Sequence, residues 1–150
     1  MNTPTIVTGH GRSGTHWLAR LLGHFIDARH EPSTQTGADV VVDCRAWRQR
    51  EIYEREGRRL IHLVRDGRDV IRSTHTYQGG LDPFDRLCRD WTAAVDGCAG
   101  LETLRLEDLV SPVAKSSGYF MPHWSEWPPE TTDTFWRICG DQMDRHGYKR

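Results

Sequence analysis

The chain has 150 residues, 37% of them hydrophobic, and a formal charge of −1 from 20 basic and 21 acidic side chains. That length fits one domain with a real core and little room for insertions, and the balanced charge excludes a generally basic nucleic-acid binder. No apolar run is long enough to cross a bilayer and no leader-like stretch opens the chain, so a soluble protein of the cytoplasm is expected.

Thr5–Thr8 reads as a short buried strand running into Gly9-His-Gly-Arg-Ser-Gly14, with a helix over Thr15–Phe25 behind it. Gly9, Gly11 and Gly14 let the backbone turn tightly and come close to a ligand. The helix start at Thr15 and His16 offers free N–H groups and a positive dipole end to an oxyanion. Gly9 and Gly14 keep the Walker A spacing, but Thr15 and His16 stand where that motif carries lysine and a hydroxyl. The positive charge comes earlier, at Arg12, so the loop is suited to holding an anion through Arg12 and backbone donors without a metal. Along the helix, Trp17, Leu18, Leu21, Leu22 and Phe25 form one apolar stripe.

Glu31 follows in His30-Glu-Pro32, and the proline predicts an extended Glu31 whose carboxylate projects from a loop. Ala38–Val42, apolar but for Asp39, reads as a second strand of the kind found in buried parallel sheets. Arg45–Glu56 reads as an exposed, charged helix, and Leu60–Val64 as a third strand. Arg65, at the end of that strand, can fork two N–H bonds onto a phosphate, and Ser73, on a helix over Asp69–Tyr77, can add a hydroxyl. Taken alone, Arg65 would pair with Asp66 or Asp69. Gly79–Pro83 breaks the chain, after which Phe84, Leu87, Cys88, Trp91, Ala94, Val95 and Cys98 recur at helical steps on an amphipathic helix. Leu101–Leu106 is the fourth strand, and the proline-rich stretch 111–130 is expected to be a mobile loop or lid.

This alternation predicts an α/β fold, one domain over residues 1–150 with a parallel sheet flanked by helices and right-handed crossovers. Ligands then bind beyond the carboxyl ends of the strands. The four cysteines form no Cys-x-x-Cys pair, and Cys88 and Cys98 fall on an apolar stripe that suits a core. No two of the eight histidines have His-Glu-x-x-His spacing, and no metal is expected. Trp17, Trp47 and Trp124 are flat surfaces on which a purine could stack.

The two motifs together resemble those of sulfotransferases that use 3′-phosphoadenosine 5′-phosphosulfate (PAPS). Gly11-Arg-Ser-Gly-Thr15, followed by an aromatic residue and a leucine-rich helix, is similar to their 5′-phosphosulfate loop, and Arg65 with Ser73 to their 3′-phosphate element. Gly67 stands where many relatives carry proline, which implies a looser helix start. Leu104–Val110 and Phe135–Tyr148 resemble, less specifically, a late strand and turn and the closing helix. The resemblance implies a compact P-loop-like sulfotransferase topology, shared with nucleotide kinases, in which the strand before the glycine loop neighbours the strand ending at Arg65. It implies transfer of a sulfuryl group from PAPS to a hydroxyl or amine on a small-molecule, carbohydrate, lipid or peptide acceptor, leaving 3′-phosphoadenosine 5′-phosphate (PAP). Arg12, Ser13, Gly14, Thr15, His16 and Trp17 would contact the cofactor at the loop, and Arg65 and Ser73 at the 3′-phosphate, with Lys115, Ser116 and Ser117 in reach of the same group. Arg12 would stabilise the leaving phosphate and Glu31 would take the acceptor proton, with His10, His16, His30 and His75 as rival bases. Two alternatives stand beside this reading. One is a P-loop small-molecule kinase; the other is a nucleotide-binding module without catalysis, since in so short a chain the acceptor half of the site is either incomplete or completed by another subunit, as in a homo-oligomer.

Overall fold

The computed structural model describes residues 4–31, 37–110 and 118–150. Five strands, β1 (Thr5–Thr8), β2 (Ala28–His30), β3 (Val40–Val42), β4 (Leu60–Val64) and β5 (Glu102–Arg105), form one parallel sheet in the order β2-β3-β1-β4-β5. The central strand β1 has Ile6 beside Val41 on one flank and beside Leu60 on the other, so the expected neighbour relation of β1 and β4 is present. The helices are α1 (Thr15–Leu22), α2 (Arg50–Arg55), α3 (Gly67–Tyr77), α4 (Phe84–Gly97), α5 (Leu106–Leu109) and α6 (Pro129–Arg145), with short 3₁₀ turns at Ala46–Gln49 and Trp124–Glu126.

Side chains alternate across the strands and so divide the core into layers. Val7, Val42 and Leu63 pack with Leu18 and Ala19 of α1 and Leu106 of α5. On the opposite face Ile6 and Leu60 pack with Ala46 and Tyr53, while Val64 joins the largest cluster, built from α3, α4 and α6 around Trp91 and Phe135. Trp91, Leu87 and Phe135 are fully buried, and each such side chain contributes roughly 1.5–3 kcal/mol of transfer free energy.

Several expected boundaries change, each for a physical reason. The first helix ends at Leu22, not Phe25; Phe25 is 80% exposed, and the buried face of α1 is Leu18 and Ala19. Leu22 packs partly against that layer, while Trp17 and Leu21 turn outward. Ala38–Val42 shortens to Val40–Val42, and the Arg45–Glu56 helix divides into the 3₁₀ turn and α2. An unforeseen strand, β2, lies on the sheet edge, where Ala-Arg-His needs no apolar face because it pairs only with β3.

The start of α3 is firm rather than loose. The Asp66 carboxylate caps it by accepting from the Arg68 backbone N–H at 2.9 Å, and a side chain on Gly67 would come within 3.0 Å of the Trp91 ring. Glycine therefore serves here for close helix packing. Of the expected lid, residues 111–117 lie outside the described residues. In its later half Trp127 joins the core: it is 8% exposed, packs edge-on against Phe84 and Phe135, and donates its indole N–H to the Pro122 carbonyl, while Phe120 stays exposed.

Candidate functional site

At the carboxyl edge of the sheet, each of four neighbouring strands delivers one polar group or turn into a common space. Thr8 leads to Gly9, His30 to Glu31, Val42 to Asp43 and Cys44, and Val64 to Arg65. These segments, with α1 and the far end of α3, enclose a cleft of about 1080 Å³. Its lining brings together Arg12, Gly14, Thr15, His16, Trp17, Glu31, Arg65 and Ser73, which the sequence places as far as 61 residues apart.

The glycine loop is shaped for close approach. Gly14, the N-cap of α1, has φ +91°, where a side chain is strained, and a β-carbon there would sit 2.8 Å from Leu106. No side chain caps α1 and no acidic residue stands in its first turn. Its leading N–H groups thus face the cleft side of the loop without an internal acceptor, the arrangement that favours an anion. The loop is braced by Ser13 N–H donating to the His10 carbonyl at 3.0 Å. The Ser13 side chain is only 1% exposed and does not line the cleft.

Arg12 is the pivot. Its Nε donates to Ser73 Oγ at 3.0 Å, its guanidinium lies 5.1 Å from the Tyr77 ring centre, and its carbonyl accepts from Arg65 at 3.4 Å. Arg65 also reaches Asp69 at 3.8 Å, the ion pair its sequence position suggested; it remains part of the cleft wall. Burial raises the Asp69 carboxyl above the usual range, against the pull of Arg65.

Glu31 also faces the cleft, although its backbone is not extended: φ is +23°, and its N–H donates to the Val42 carbonyl at 3.1 Å. Its Oε1 accepts from the Cys44 N–H at 3.2 Å. Burial, with the Glu31 carboxylate adding to it, pushes the Cys44 thiol up to about 12. Cys44 is therefore a protonated donor to Glu31 at neutral pH. Glu31, Asp43 and Cys44 each offer one ligand atom within 4.8 Å of the others.

Three of the four rival histidines line the cleft. His30 Nε2 lies 3.4 Å from Thr15 Oγ1, and its ring is 5.0 Å from that of His16. Burial pushes His10 down to about 4, against the pull of Asp90 and with Arg48 and Arg12 adding to it; its Nδ1 accepts the Arg12 N–H. His10 is neutral at physiological pH, with that nitrogen already engaged. His75 is not in the cleft. Of the three tryptophans proposed for stacking, Trp17, 38% exposed, and Trp47 line the cleft. Trp124 does not; its ring centre lies 3.9 Å from the Arg68 guanidinium.

Sequence reasoning missed a strut beside the turn that carries Arg65. Glu107 accepts from the Asp66 N–H and from the Tyr148 hydroxyl, both at 2.8 Å, tying the turn after β4 to the end of the chain. Burial beside Glu107 holds the Tyr148 phenol well above its usual range, so it stays a donor. The Glu-Asp-Leu and Gly-Tyr segments were visible as words, yet only the fold shows that they meet. Lys115, Ser116 and Ser117 lie outside the described residues. No protein-family model, curated protein or solved structure matches this chain.

Proposed function

We propose that the chain is a sulfotransferase that takes a sulfuryl group from PAPS to a hydroxyl or amine acceptor. The observation that carries this reading is the hydrogen bond from Arg12 to Ser73, which joins the glycine loop to the helix that follows Arg65 inside one cleft. Two motifs that resemble the two phosphate elements of one cofactor thus line one cleft.

The residues present fit such a ligand. An uncapped helix start behind a glycine of positive φ suits the 5′ group, while Arg65 and Ser73 offer a guanidinium fork and a hydroxyl to a 3′-phosphate. Trp17, 38% exposed, gives a flat face in the same cleft. No lysine lines the cleft among the described residues, which counts against a kinase of the Walker A kind.

PAPS supplies an activated sulfuryl group whose sulfur–oxygen bond to the 5′-phosphate breaks as one to the acceptor oxygen or nitrogen forms. Arg12 stabilises negative charge that gathers on the leaving phosphate, helped by the N–H groups of Gly14, Thr15 and His16. Glu31, across β1 from Arg65, accepts the acceptor proton at its carboxylate, and the Cys44 N–H keeps that carboxylate turned into the cleft. The chain positions and stabilises more than it bonds. The test is transfer of labelled sulfate from PAPS across a panel of hydroxyl and amine acceptors in the presence of a chelator. Transfer without metal is expected; transfer of phosphate from ATP instead would overturn the proposal.

A further inference from the structure

We infer that the acceptor is itself an anion, held through a carboxylate or an existing sulfate ester by Arg45 and Arg48, with Arg20 at the same cleft. This rests on the proposed sulfuryl transfer for the chemistry, though the anion subsite can be measured apart from it.

The distribution of ion pairs points there. Ten of the thirteen arginines outside the cleft are in ion pairs with carboxylates among the described residues, for example Arg50 with Glu54 at 2.7 Å and Arg68 with Asp66 at 2.7 Å. Of the five arginines that line the cleft, Arg65 alone is so paired among the described residues. Arg12 is taken up by Ser73 and Tyr77. Arg20, Arg45 and Arg48 are exposed and without a carboxylate among the described residues, in a chain that has 21 acidic side chains to offer. Three unneutralised guanidinium groups gathered on one concave surface raise the local positive potential and draw an anion.

Topology separates this charge from the nucleotide. Arg65 and Ser73 follow β4, on one side of β1; Arg45 and Arg48 follow β3, on the other side, together with Glu31 after β2. A nucleotide whose 3′-phosphate sits at Arg65 and whose sulfuryl group sits at the loop leaves the β3 side for the acceptor. Trp47 lies between the two arginines in sequence; its ring packs against Gly97 of α4, where an added β-carbon would overlap it, and the Arg48 guanidinium lies over that ring, 5.3 Å from its centre, so Trp47 braces Arg48 at the cleft. The carboxylates lining the cleft are Glu31, held by Cys44, and Asp90, which lies 3.9 Å from Arg86.

The experiment compares probes that differ only in charge. Methyl glucuronide, methyl glucoside 6-sulfate and neutral methyl glucoside form one set; 4-hydroxybenzoate, 4-hydroxyphenyl sulfate and phenol form the other. Binding is read by calorimetry with the protein alone and with PAP added. In at least one set an anionic probe is expected to bind roughly tenfold or more tightly than its neutral partner, and the carboxylate and sulfate arms tell which anion is preferred. The Arg45→Gln, Arg48→Gln double variant should cut that preference to about threefold or less without changing binding of the neutral probe. Both residues are exposed, so the fold survives the change. Equal binding of all probes, no binding of any anion, or a preference that outlives the double variant overturns the inference. So does displacement of the anionic probe by PAP, which would assign these arginines to the nucleotide. Failure of PAP itself to bind, with the anion preference intact, sinks the sulfotransferase reading and leaves the anion subsite standing.

Discussion

Gly9→Ala tests the close seat of the glycine loop on the sheet. A methyl group built on Gly9 would overlap the Leu63 carbonyl oxygen, lie 3.3 Å from the Leu63 carbonyl carbon and 3.6 Å from the His62 ring. The obstacle is the backbone of β4, beside the pair of Thr8 with His62, and it cannot step aside as a flexible side chain would. Overpacking of this kind costs about 1–3 kcal/mol, with so direct an overlap at the upper end. Loss of conformational freedom in the unfolded chain returns roughly 0.4–1 kcal/mol. The net loss of about 2 kcal/mol should lower Tm by about 4–8 °C in a domain of this size. Gly11→Ala is the internal comparison: its added methyl would meet only Cys44 Sγ at 3.6 Å, an ordinary contact, and stability should change by no more than about 0.5 kcal/mol. Thermal melts followed by circular dichroism read both. A Gly9→Ala protein that melts at or above the wild-type temperature, or a Gly11→Ala protein that loses as much, would refute the packing argument.

Three further outcomes are expected. Arg12→Ala should lower turnover by roughly 10²–10³-fold while weakening PAP binding far less, as loss of a donor to developing charge does; steady-state kinetics beside calorimetry shows the split, and equal losses in both would leave Arg12 a mere binding residue. Glu31→Gln keeps the oxygen that accepts the Cys44 N–H but removes the basic carboxylate, so turnover should fall by about 10²–10⁴-fold with PAP affinity intact; an active variant would pass the base role to a histidine of the cleft or show that none is needed. Stability should fall on acidification: burial holds His10 and His62 near 4 in the fold, below about 6.5 in the unfolded chain, so the unfolded state binds more protons between those values. Tm is then level above pH 6.5 and drops as the pH approaches 4, less steeply in His62→Gln; a level or rising Tm through that window would contradict the assignment.

The pattern of the sequence reached the fold where apolar periodicity was strong. Leu60–Val64 and the Phe84–Cys98 stripe appear with nearly the expected bounds because burial on one or both faces leaves the register little freedom. It failed where long-range packing decides. Ala28–His30 has no strand pattern of its own and is a strand only because β3 offers an edge, while Phe25 continues the stripe of α1 but projects into solvent beyond the helix end. The candidate site divides the same way. Glycine spacing and strand-end arginines are local signals, so Arg12, Thr15, Arg65 and Ser73 could be named from the chain and do line one cleft. Ser13 could not be told from its neighbours, because only the fold shows its side chain turned inward. Trp124 and Trp47 looked alike as flat surfaces, and only the fold sends one to Arg68 and the other to the cleft. The Glu107 strut joins residues 41 apart in two directions, a relation no local pattern carries.

The central claim is that Arg65, Ser73 and the Arg12 loop together hold a nucleotide bearing a 3′-phosphate, and calorimetric titration with PAP, ADP and ATP in metal-free buffer tests it most directly. PAP should bind roughly 30- to 1,000-fold more tightly than ADP, the equivalent of about 2–4 kcal/mol for one well-formed charged clamp, and Arg65→Ala should abolish most of that difference. Equal affinities for PAP and ADP, or binding that appears only when magnesium and ATP are supplied, would contradict it.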